Sequence, residues 1–264
     1  MSVAGRASRC GAVLSLLPLC CVCVLAAVAA GAASAQAWQA ELGAGAESLS
    51  GGRPGWRQHD AALRWRLAPR ALLEGSARST ERFDLRDREW GAGLAAPIGG
   101  AWSGALSIAV SPTHRVLPHG SAGAQLQRAL AGGWLLGIGW KRTRYDVSST
   151  TGLTLGAERY WRDWRGAAAW IHTRVDGGAA TDALRLQLDR SFGEQSRLGI
   201  VVAAGREIDD LGVSQLTLSR VESVAVLGRW QFAPRWAAVG DLGTQRVGSL
   251  YRRSGGRLGV QLDF

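Results

Sequence analysis

The residue types and spacing that could support chemistry sit in one short stretch, His119-Gly120-Ser121. Two positions apart on a strand, His119 and Ser121 would share a face. A serine becomes a nucleophile when a base in hydrogen-bond reach takes its proton and a third group orients that base. Lipase- or deacylase-like hydrolysis is the activity such a pair would serve. The third group is missing nearby: the chain has no Asn, and no carboxylate lies within twenty residues on either side. Pro118 and Gly120 also mark a turn, where His and Ser are common. His119 and Ser121 therefore stand as candidates only, and a non-enzyme is expected. His59, His114 and His172 are scattered, and His114 and His119 could share a metal only if their loop folded back. No metal and no cofactor are expected. Gly91-Ala-Gly93 and Gly137-Ile-Gly139 lack the following helix that a phosphate cradle requires.

The N-terminus sets the compartment. Arg6 and Arg9 precede an apolar stretch from Gly11 to about Ala33, which ends in Ala33-Ser34-Ala35. That order describes a secretory signal peptide over residues 1–35, cleaved between Ala35 and Gln36. All four cysteines (Cys10, Cys20, Cys21, Cys23) fall inside it. The exported part, residues 36–264, can form no disulfide and no thiolate metal site. Net charge is +10, nearly all of the basic side is Arg, and Lys141 is the only lysine. In an exported chain this balance points to anionic lipid headgroups or anionic cargo, and nucleic acid is not expected as a partner. No second apolar run long enough for a transmembrane helix follows residue 35. A membrane location would then require a closed barrel, the other structure that satisfies every backbone group in lipid.

The elements that would position side chains in such a wall are strands. Period-two alternation dominates after residue 36. Leu184, Leu186 and Leu188 alternate with Arg185, Gln187 and Asp189; Ala61, Leu63, Trp65 and Leu67 alternate with Ala62, Arg64 and Arg66. Short turns are expected near Ala68–Arg70, Ile98–Ala101, Ala131–Gly133, Arg162–Arg165, Gly193–Gln195 and Ala233–Arg235. Between them fall connections near Leu49–Arg57, Asp84–Arg86, Pro112–His119, Asp146–Thr150, Asp176–Ala180, Ile208–Ser219 and Gly248–Ser254. Most of these are longer or more polar; Asp84–Arg86 is short. Tight periplasmic turns and longer outer loops take turns in this way in outer-membrane barrels.

Trp38, Trp65, Trp102, Trp134, Trp161, Trp164, Trp230 and Trp236 lie at strand ends beside the short turns or the N-terminus. Recurrence at one end of successive hairpins predicts an interfacial aromatic girdle. The chain ends with apolar Leu258, Val260, Leu262 and Phe264 at every second position. That ending is similar to the C-terminal signal read by the barrel-assembly machinery. The expected fold is an all-β transmembrane antiparallel barrel of about fourteen strands, or twelve longer ones if Phe83–Ile98 and Ile208–Trp230 divide otherwise. About sixteen residues per strand and connection suffice, since a spanning strand needs roughly 9–11.

With apolar residues facing lipid, the alternate positions line the lumen. They include Arg64, Arg66, Glu74, Arg78, Glu158, Arg185, Asp189, Arg197, Arg229, Asp241, Arg257 and Asp263. Two readings stand: a lumen cross-braced by Arg–carboxylate pairs, or a basic channel favouring anions. Arginines also gather at the expected outer ends (Arg53, Arg57, Arg82, Arg86, Arg88, Arg142, Arg144, Arg252, Arg253). There they would either clamp lipopolysaccharide phosphates or remain solvated loop charge.

The chain resembles the YaiO family of outer-membrane barrels. The resemblance rests on Gly-Arg-Pro-Gly-Trp56, on Arg82-Phe-Asp-Leu-Arg86, and on the ending from Tyr251 to Phe264. It implies an outer-membrane location and a link to surface polysaccharide or biofilm, and supplies no catalytic residues. The expected function is a non-enzymatic barrel, a narrow pore or conduit for anionic polymer. A lipid-modifying hydrolase and a structural glycan-binding barrel are the alternatives.

Overall fold

The structure, a computed structural model, describes residues 38–193, 195–210 and 216–264. The expected signal peptide and its cleavage site lie outside the described residues. Fourteen strands follow one another: β1 (Trp38–Leu49), β2 (Trp56–Ala68), β3 (Ala71–Arg82), β4 (Leu85–Gly99), β5 (Trp102–Val110), β6 (Gly120–Leu130), β7 (Trp134–Arg144), β8 (Ser149–Trp161), β9 (Trp164–Val175), β10 (Ala180–Phe192), β11 (Ser196–Asp210), β12 (Leu216–Ala233), β13 (Trp236–Val247) and β14 (Tyr251–Asp263). Each pairs antiparallel with its sequence neighbours, and β1 pairs with β14, so the sheet closes into a barrel without edges. Backbone bonds between Trp38 and Phe264, 2.9 Å in both directions, make the last rung of that seam. No helix among the described residues is long and apolar enough to cross a membrane.

Alternation explains why the ring closes as it does. One face of each strand carries exposed apolar side chains, such as Leu106, Ile108, Leu242 and Leu258, the last 77% exposed. A soluble protein would hide them; a ring with lipid outside does not need to. The opposite face is turned inward and carries the polar residues. The expected twelve-strand alternative falls away, because Phe83 and Asp84 form a two-residue hairpin turn that separates β3 from β4. Both adopt positive φ (52° and 63°), the geometry that matches strand twist in a tight hairpin. Two expected connections are shorter than the sequence suggested. β11 and β12 run into the Ile208–Ser219 segment, and β14 starts at Tyr251 within Gly248–Ser254. Polar residues read there as loop belong to strands that continue beyond the apolar band.

Among the described residues, a cluster of buried apolar side chains lies on the inward face near the long-loop end: Leu49, Trp56, Val221, Val247 and Tyr251, with Phe83 and Leu250 against it. Elsewhere the barrel is held by its ladder and by polar contacts across the lumen.

Candidate functional site

The inward side chains make an asymmetric lumen. On β1, β2, β3 and β14 they are long and charged, and they form a chain of ion pairs. Arg257 reaches Glu41 at 2.7 Å and both oxygens of Asp60, with Nε 2.8 Å from Oδ1. Arg64 then joins Glu41 at 3.0 Å and Glu74 at 2.6 Å. Arg78 lies 3.7 Å from Glu89. A second group ties β8, β9 and β10, where Arg165 bonds Glu158 and the buried Asp189, each at 2.7 Å. Near the seam, Arg229 contacts Asp263 at 3.4 Å and Gln261 at 3.3 Å. Across β4 to β9 the inward residues are mostly small, among them Gly93, Ala105, Gly123, Gly139 and Gly156. They leave an interior cavity bounded by Gln125, Gln127, Glu158, Arg185 and Gln187.

Each expected lumen residue can therefore be placed. Arg64, Glu74, Arg78, Glu158, Asp189, Arg229, Arg257 and Asp263 are inward and ion-paired. Arg66, Arg185, Arg197 and Asp241 are inward by strand parity and exposed to the lumen. Arg185 bonds Gln187 at 3.0 Å. Lys141, also inward and exposed, adds one more cation.

Two structures narrow the long-loop end. In the connection after β5, Val116 and Leu117 are buried, and their amides donate to Asp87 Oδ2 at 2.7 and 2.8 Å. Asp87 is fully buried and inward on β4, so this loop is pinned against the inside of the wall. Two strands away on β2 stands Trp56, edge-on to Phe83 and Tyr251, with Arg82 at 4.3 Å and Arg253 at 4.8 Å over its ring. Sequence reasoning missed both features. Parity would have found Trp56: it sits an odd number of residues from outward Trp65 on β2, and so points inward. Arg82 and Arg253, expected among the lipid-clamping arginines, turn instead into the mouth, and Arg53 lies over Tyr251. Their corrected position follows from the same parity. Outward Arg142 meets Asp176 in the connection after β9, and this hydrogen bond holds the Asp176 carboxyl below its ordinary range.

The loop does fold back on itself: the rings of His114 and His119 lie 4.7 Å apart, and His114 reaches Asp146 at 3.1 Å. Among the described residues no group of three or more His, Cys, Asp or Glu is arranged to hold a metal ion, and no hydrogen bond joins His119 to Ser121.

At the short-turn end the outward tryptophans recur hairpin by hairpin. Trp38 stacks on Trp65 at 5.1 Å. Arg128, Arg159 and Arg190 lie over Trp102, Trp134 and Trp164 at 5.3 to 5.4 Å. Trp161, Trp230 and Trp236 are exposed, Trp230 by 69%. Leu258, Val260, Leu262 and Phe264 face outward along β14 beside them. Deleting Phe264 is expected to lower the heat-modifiable, folded form in membrane fractions several-fold. An unchanged gel shift would remove the assembly-signal reading.

A closed ring with lipid-facing apolar bands, an aromatic girdle and a polar interior defines an outer-membrane β-barrel. The chain belongs to the YaiO family, whose membrane β-barrel domain matches residues 38–210. Comparison with curated proteins finds no match. Solved structures of similar fold include the CymD monoaromatic hydrocarbon channel, at 10% identity over 86% of this chain and 88% of that one, TM-score 0.62. A bacterial polysaccharide outer membrane secretin is similar at 10% identity over 87% and 99%, TM-score 0.55. The outer membrane protein Omp33 of Acinetobacter baumannii is similar at 9% identity over 88% and 100%, TM-score 0.53. At these identities the likeness is one of fold.

Proposed function

We propose that this barrel is a narrow, non-enzymatic pore favouring anions, with an acidic surface polysaccharide as the class of cargo. The observation that carries the reading is the asymmetric lumen. A wall of mostly small residues on β4 to β9 leaves a path; the long charged side chains gather on β1 to β3 and β14, with a second ion-paired group at Glu158, Arg165 and Asp189. Within the inward ion-paired groups carboxylates outnumber arginines by two. Among the described inward residues, Arg66, Lys141, Arg185 and Arg197 lack a paired carboxylate, against Asp241 and the amide-bonded Asp87. The positive field is therefore local to those four side chains, of which Arg185 lines the cavity. The family resemblance to barrels linked with surface polysaccharide agrees with a polyanionic cargo, as does the polysaccharide secretin among proteins of similar fold.

Planar-bilayer recording tests this. The protein should conduct in small steps, with chloride more permeant than potassium. Arg185→Glu together with Arg197→Glu should bring the permeability ratio to unity or invert it, with little change in conductance. A silent bilayer would remove the pore and favour a structural, glycan-binding barrel. The hydrolase reading has no support in a bonded His119–Ser121 pair; a Ser121→Ala variant that lost lipase or deacylase activity would revive it.

A further inference from the structure

We infer that the outer surface of β11 to β14 is a binding site for one lipopolysaccharide molecule, held by its lipid A phosphates. Four arginines point outward there at the long-loop end. In the register Arg206 stands opposite Arg220, and Arg246 opposite Arg252. Glu222, opposite Arg246, ties the two pairs into one patch. All four arginines are exposed, Arg220 by 77% at its side chain.

Directly opposed residues place their Cβ atoms about 5 Å apart, and like charges so placed destabilise a sheet. Among the described residues, the carboxylate contact in the patch is Arg220 to Glu222 at 2.9 Å. Among the described residues, then, four cations share one anion. Two outward arginines elsewhere at this end are compensated within the protein: Arg86 meets Glu81 at 2.6 Å, and Arg142 meets Asp176. Among the described residues, the β11–β14 patch gathers four cations around one carboxylate. An external dianion bridging the two like-charged pairs would supply counter-charge, and the guanidinium fork suits phosphate.

What lies below decides which phosphate. Next toward the membrane centre is a pair of hydroxyls, with Ser254 Oγ donating to Thr244 Oγ1 at 2.9 Å. Beneath them opens an apolar groove on the outer face, floored by Gly228 and Gly240 and walled by Leu198, Val226, Leu242 and Leu258, that runs on to Phe192 and Trp230 at the short-turn end. Leu242 is four residues from Arg246, roughly 13 Å along the strand. Cations, then hydroxyls, then an apolar groove follow the order of phosphate, sugar and acyl chain in lipid A. A soluble phosphate would use only the first tier. The end carrying the longer loops faces outward in such barrels, the side where lipid A resides.

The test titrates the intact barrel in detergent with short-chain lipopolysaccharide, read by native mass spectrometry. One molecule should bind. Arg246→Gln with Arg252→Gln should weaken binding at least tenfold. Arg88→Gln with Arg144→Gln, outward at the same end on β4 and β7, should change it less than twofold. Enzymatically dephosphorylated lipid A should bind the unaltered protein as weakly as intact lipid binds the Arg246/Arg252 variant. That arm needs no mutation, so a folding defect cannot obscure the result. Equal binding of phosphorylated and dephosphorylated lipid would overturn the site, as would equal loss in both double variants. Full competition by phosphatidylglycerol or inorganic phosphate would overturn lipid A as the occupant. None of these outcomes depends on whether the barrel conducts.

Discussion

An Asp87→Ala barrel is expected to conduct at least twice as much as the unaltered protein, with frequent opening steps. Asp87 has no exposure to solvent, and one of its oxygens accepts the amides of both Val116 and Leu117. A hydrogen bond to a charged group contributes about 1.5–3 kcal/mol. Losing two such bonds costs the pinned loop about 3 kcal/mol or more. That shifts its closed-to-open ratio by more than a hundredfold. A loop held inside the mouth almost all the time would then be released much of the time. Asp87→Asn keeps one acceptor oxygen without the charge and should fall between the two. Single-channel recording gives the answer. Unchanged conductance in the alanine variant would mean that the loop does not narrow the path. The β1–β14 pairing does not involve Asp87, so the folded fraction on a mild gel should stay the same.

The wall was legible in the sequence and the mouth was not, for a physical reason. Along a strand the side chain period is two, so Leu184, Leu186 and Leu188 announce one face and Arg185, Gln187 and Asp189 the other. The six tight turns are marked by Gly, Pro and flanking aromatics, and each lies where expected. Parity becomes unreadable where both faces turn polar, beyond the lipid band. Arg252 and Arg253 look alike in sequence, yet one points outward and the other stacks on Trp56. The arginine patch was hidden for the same reason. Arg206, Arg220 and Arg246 lie in or beside segments that read as loop, and only the register of β11 to β14 brings them together. The pin at Asp87 was hidden because its partners are backbone amides about thirty residues away. Residue type carries no signal for such a contact.

Ring closure was implied by the fold class, but its staple was not, and the staple makes the second large effect. Arg257→Ala is expected to lower stability against urea by about 3 kcal/mol, measured by tryptophan fluorescence in lipid vesicles. Breaking a buried pair by removing one partner costs roughly 3–5 kcal/mol. The lumen is partly wet here, with side-chain exposures of 18% for Arg257, 13% for Glu41 and 17% for Asp60, so the lower end applies. The substitution would strand Asp60 and leave Glu41 to Arg64 alone. Arg257→Lys keeps a charge but cannot grip both partners with a fork, and should lose about half as much. Gly43→Ala should reproduce part of the loss, because a Cβ there would overlap the guanidinium. The position of the network explains why this pair outweighs the others. Arg257 on β14 holds Glu41 on β1 and Asp60 on β2, and so spans the one pairing whose strands lie at opposite ends of the barrel sequence. Every other strand pair is joined by a short connection; this one must close a loop through the whole barrel, at the highest entropic cost. Contacts across it stabilise the closed ring itself. A loss below about 1 kcal/mol would mean that water already screens these charges, and that the backbone ladder alone holds the seam.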